Sequence, residues 1–213
     1  MKIALIVLGV LLLLAVAAMA VFVFVVQNVE QPAYESITHD GAFEVRDYPR
    51  LVVAEVRRGG PRREALSAGF GPLARYIFAK ERASERISMT APVTQSRDPA
   101  GDWAVRFIMP ASYDLDKLPA PAGTDVRLSE VAPRRVAAIR FSGSATDELM
   151  ACKEAELRAW LAARGLTPAT APVYAYYNDP FTPGFLRRNE VLVDLTEGLG
   201  TKATPAPVTG VTP

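Results

Sequence analysis

Arg86-Ile-Ser-Met-Thr-Ala-Pro-Val93 and Arg187-Arg-Asn-Glu-Val-Leu-Val-Asp-Leu195 decide how this chain is read, because each opens a strand at the same place in one of two matching halves. Outward from them, each half reads as a strand, a Gly-containing turn, a helix, a strand, a Pro-rich loop and another strand. In the first half, Leu51 to Val56 ends at Gly59-Gly60-Pro61, where proline suits the first turn of a helix. In the second, Arg135 to Phe141 ends at Ser142-Gly143, and Thr146 is placed to cap a helix that Gly165 stops. Ahead of both, Tyr34 to Ile37 and Phe43 to Tyr48 alternate about Asp40-Gly41, a hairpin signal. Short links between strands favour antiparallel pairing, so the expected class is α+β with a pseudo-twofold βαββ repeat.

The first helix places Leu66, Phe70, Leu73 and Ile77 at spacings of four, three and four, which makes one apolar stripe. Such a stripe either packs on the sheet or lines a groove. Pro72 removes a backbone donor and predicts a kink or restart in this helix. Before the domain, residues Ile3 to Val26 carry no charge. At a rise of about 1.5 Å per residue such a run outspans a hydrocarbon core, so residues 1–26 read as a membrane anchor, or as a signal peptide cleaved after Ala20 in Ala18-Met19-Ala20. Lys2 places the N-terminus in the cytoplasm and the domain on the extracytoplasmic side. Residues 27–33 then form a linker, 34–197 the domain, and 198–213, mostly Gly, Thr, Pro, Ala and Val, a disordered tail.

With Lys2 set aside, 23 basic residues face 23 acidic ones, so no long-range field draws in a nucleic acid. A single cysteine, Cys152, excludes an internal disulfide and a paired-cysteine haem attachment; it reads as a buried small hydrophobe. One histidine and one cysteine also leave too little for a histidine-rich metal site or a serine triad with a spare, and an enzyme is not expected. Asp114, Asp116 and Asp125 read as solvated turn residues, and Asn189 and Glu190 as groups satisfying backbone or pairing with Arg187 and Arg188.

From about Tyr34 to Leu195 the chain resembles the SOUL family of haem-binding proteins. The motifs that carry the resemblance are Tyr34-Glu-Ser-Ile37, Phe43-Glu-Val-Arg-Asp-Tyr48, Met89-Thr-Ala-Pro-Val93, Phe107-Ile-Met-Pro110, Phe141-Ser-Gly143 and Arg187-Arg-Asn-Glu190, in matching order and spacing. The resemblance implies a twisted antiparallel sheet curled into a distorted barrel with two helices. It also implies haem or another porphyrin, a tetrapyrrole small molecule, held in an apolar groove beside the first helix and near the loop from Pro180 to Leu186. The groove residues would be Leu66, Phe70, Leu73 and Ile77. A basic residue is expected where Ser67 stands and a lysine near Thr182 or Pro183, for propionate contacts; neither is basic here. Arg62, Arg63, Arg75 and Arg187 are the substitutes the sequence offers, Arg63 and Arg187 foremost in the site. The axial histidine proposed for some members is replaced by Asp47. His39, in the apparent hairpin turn, is the one histidine left for a metal bond, and an exposed imidazole assisting the turn is its simpler reading. Met89, Met109, Tyr174, Tyr176 and Tyr177 read as packing residues. The expected function is thus weak, mostly apolar tetrapyrrole binding. A non-catalytic domain for another amphipathic ligand or a protein partner is the alternative.

Overall fold

Glycine at φ +60° lets the chain reverse at Gly41, joining β1 (Glu35–Asp40) to β2 (Phe43–Tyr48) as an antiparallel hairpin. His39 lies within β1, opposite Glu44, rather than in the turn. The computed structural model describes residues 7, 9–14, 29–80 and 85–196. The uncharged N-terminal run and the C-terminal tail therefore lie largely outside the described residues. Residues 9–14 are helical, and among the described residues no helix is long and apolar enough to cross a membrane.

β3 (Leu51–Arg58) leads into α1 (Arg62–Ile77), β4 (Val93–Arg97) and β5 (Trp103–Ile108); β6 (Arg127–Val131) and β7 (Arg134–Phe141) lead into α2 (Asp147–Ala162), β8 (Val173–Tyr176) and β9 (Asn189–Asp194). The strands form one antiparallel sheet in the order β1-β2-β7-β9-β8-β4-β5-β3-β6. Exchanging β2 with β6, β3 with β7, β4 with β8 and β5 with β9 reverses the order from β2 to β6, which is the expected twofold repeat; β1 is an addition at one edge. The edges, β1 and β6, do not pair with each other, so the sheet is open where the resemblance implied a distorted barrel.

The repeat corrects the pairing of the two opening stretches. Residues 86–93 lead into β4, whose counterpart is β8, whereas 187–195 contain β9, whose counterpart is β5. Nor is Ile87 to Thr94 a strand throughout. The Ile87 N–H donates to the Ile77 carbonyl at the end of α1, and the Ala91 N–H to the Glu30 carbonyl, so these donors are committed elsewhere and the ladder begins only at Val93.

α1 runs unbroken through Pro72. The Ala68 carbonyl, which proline leaves without its helical donor, accepts instead from Arg58 Nε at 3.4 Å. Gly69 permits a close approach to the sheet, since a Cβ there would lie 2.8 Å from the Val105 side chain. Under α1, Leu73, Tyr76 and Ile77 meet Ala54, Val56 and Val105; under α2, Met150, Leu157 and Leu161 meet Ala137, Ile139 and Val193. Thr146 caps α2 by accepting from the Leu149 N–H at 3.2 Å, and Gly165 (φ +68°) follows its end. Val93, which packs under α1, is the register partner of Tyr176, which packs under α2. Paired residues share a face, so both helices cover one side of the sheet, and on the other side Tyr48, Val136, Ala138, Ala175 and Leu192 form a further buried cluster.

Candidate functional site

The loop between β8 and β9 is braced from within. Asp179 accepts the backbone N–H of Phe181 and Thr182 and the Thr182 hydroxyl at 2.7 to 3.1 Å. Burial raises the Asp179 carboxyl, but these hydrogen bonds outweigh it and hold the group below the usual carboxylate range. Arg187 closes the other end, its Nε donating to the Thr182 carbonyl and its Nη2 to the Pro180 carbonyl. Gly184 seats the loop on the lead-in to α2, its carbonyl accepting the Gly143 N–H at 2.9 Å. A loop so tied down nonetheless holds Phe181 85%, Phe185 77% and Leu186 58% exposed. Large apolar groups fixed in water mark a binding surface more often than scattered single exposures do.

The first turn of α1 shares this neighbourhood. Arg62 Nη2 donates to the Ala145 carbonyl, Nε to Asp147 and Nη1 to the Tyr176 hydroxyl, all at 2.6 to 2.7 Å. Tyr176, its phenol pushed up to about 12 chiefly by burial, also bonds the buried Gln95 at 3.1 Å. Arg62 is thus a buried tie between the helix starts, and not a cation offered to a ligand.

The sequence-chosen stripe divides. Leu73 and Ile77 are sealed in the core, Leu66 is half-buried against it, and Phe70 is 39% exposed with its ring edge-on to Phe107 at 5.1 Å. Arg63 is exposed and makes no ion pair among the described residues. Arg187 holds the loop rather than pairing with Glu190. The hollow beside α1, between Pro72, Tyr76 and Pro121, has a volume of only about 60 Å³, so a macrocycle on this side must lie on the surface. Of the displayed side chains the sequence reading singled out Phe70 alone. The 180–186 loop is legible in the sequence, but Phe181, Phe185 and Leu186 are legible there only as apolar residues near Pro180 and Pro183.

The last motif is structural. Glu190, fully buried, accepts from Arg46 at 2.7 and 3.1 Å, from Arg188 at 2.7 Å and from the Tyr177 hydroxyl at 2.8 Å. Asn189 donates to the Gly143 carbonyl. Asp47, at the place of the histidine of some family members, is paired with Arg135 at 2.7 Å, and hydrogen bonds from that guanidinium hold its carboxyl low. His39 is exposed on edge strand β1, six strand positions from β5 beneath α1. Among the described residues no three His, Cys, Asp or Glu side chains gather as a metal site. Cys152 is exposed on α2, where the sequence reading buried it: its neighbours Met150 and Leu157 take the sheet-facing positions. Asp114 and Asp125 form surface ion pairs with Lys117 and Arg58.

The helix-free face of the sheet carries the larger concavity, an open cavity of about 780 Å³ whose lining includes Tyr48, Val53, Ile108, Val136, Val173 and Leu192.

An open antiparallel sheet with two helices on one face, ending in a braced apolar loop, defines the class of protein to which this chain is compared. The sequence profile described as SOUL heme-binding protein matches residues 29–194, and the chain belongs to that family. No curated protein sequence matches it. Among solved structures, the fold is similar to the EcmrR C-terminal domain, with a TM-score of 0.55 and 14% identity, covering 77% of this chain and 98% of that one. It is also similar to a structure described as a hydrolase from Listeria innocua, with a TM-score of 0.51 and 12% identity, covering 75% and 94%. Likenesses at such identity concern the fold alone.

Proposed function

We propose that the chain binds haem or a related tetrapyrrole without covalent attachment, on the surface formed by the outer flank of α1 and the 179–187 loop. Phe70, Phe181, Phe185 and Leu186 supply apolar area for a planar ring, and Arg63 is the cation in reach of α1's first turn for a propionate. Family membership supports the ligand class. The observation that carries the location is a loop held by Asp179 and Arg187 that keeps three large apolar side chains in water. No axial bond is part of the reading, because the only histidine lies on the far edge strand. The role is binding rather than catalysis, and the uncharged N-terminal run supports an exported, membrane-tethered domain.

Haemin titration of the full chain in detergent tests this through Soret absorbance and tryptophan quenching. Saturation is expected, and Phe181→Asp with Phe185→Asp should weaken it by about tenfold or more, the equivalent of ~1.4 kcal/mol. A titration with no saturable change would remove the reading.

A further inference from the structure

We propose that the helix-free face of the sheet holds a second binding site, separate from the ledge, for a neutral and mostly apolar small molecule. The volume of about 780 Å³ is within the usual range for small-molecule sites, roughly 300–1,000 Å³, and the floor is apolar. The wall decides the chemistry. It contains the carboxylates of Glu55, Asp98, Glu130 and Asp194 and the guanidiniums of Arg97, Arg106 and Arg134. Every carboxylate is answered: Glu55 by Arg106 at 2.6 Å, Asp98 by Arg57 at 3.1 Å, Glu130 by Arg50, and Asp194 by Arg134 at 3.0 Å. A cation entering the cavity therefore meets no unpaired acid. An anion meets four carboxylates against three guanidiniums, two of them already paired with those acids.

Benzophenone, a neutral aromatic ketone that inserts into nearby C–H bonds on irradiation, is the probe. Irradiated with the full chain in detergent and mapped by peptide mass spectrometry, it should label saturably the segments around Val53, Ile108, Val136 and Leu192. Thr94→Trp, and independently Ser129→Trp on edge strand β6, should fill the cavity and abolish this labelling. 4-Benzoylbenzoate should label more weakly than benzophenone. Labelling that does not saturate, that survives both tryptophan variants, or that is as strong with the carboxylate would overturn the site. The Phe181→Asp, Phe185→Asp variant should keep the benzophenone pattern while losing haemin, which separates the two sites.

Discussion

Glu190 shows what a single buried charge does in this fold. Burial by itself raises its carboxyl, but hydrogen bonds and charge from Arg46 and Arg188 overcome that and hold it below the ordinary glutamate range. A carboxyl lowered on folding contributes stability above its unfolded pKa and loses it as pH falls through the folded value, so the domain should weaken as the medium is acidified below the ordinary glutamate range. Glu190→Gln should behave differently at neutral pH, leaving the buried Arg46 with Glu44 alone as counter-charge, at a cost of about 3 kcal/mol, readable as a lower urea midpoint. Phe70 poses the opposite question, since it is half in water and half against Phe107. Phe70→Asp should reduce haemin affinity while the far-ultraviolet circular dichroism is kept; an unfolded variant would assign Phe70 to the core.

At the scale of elements, the 179–187 loop and α1 have separable roles. Arg187 bonds two carbonyls of its own loop and nothing in the core clusters, so Arg187→Ala should weaken haemin binding about tenfold with thermal stability nearly unchanged. A matching fall in both would show that the loop supports the fold. Gly69→Ala should act only on stability: its Cβ meets Val105 at 2.8 Å where backbone and core are close-packed, a cost of about 1–3 kcal/mol by thermal unfolding. The sequence made the α2 boundaries readable, because Thr146 and Gly165 act through bonds and dihedrals only a few residues away. It misplaced the start of β4 for the complementary reason. Ile87 and Ala91 are apolar enough for a strand, but their backbone donors bond to Ile77 and Glu30, partners that adjacent residues do not announce.

At the scale of the whole molecule, strand order sets distances that no motif carries. β1 lies at the opposite end of the sheet from the strands under α1, so His39→Ala should leave the Soret spectrum of the haemin complex unchanged; a loss of that band's position would place the imidazole on iron after all. The same order puts both helices on one face and opens the cavity on the other. By itself the sequence determined the α+β class, the repeat, the two helices and the family, because those depend on periodicity, turn residues and motif spacing within a short reach of chain. Only the tertiary structure decided which side chains of the α1 stripe are sealed, that Arg62 and Arg187 are committed to partners within the fold, that the sheet stays open, and that its helix-free face is hollow. Each of these is a matter of which distant strand becomes a neighbour, and pairing partners separated by a hundred residues leave no local trace.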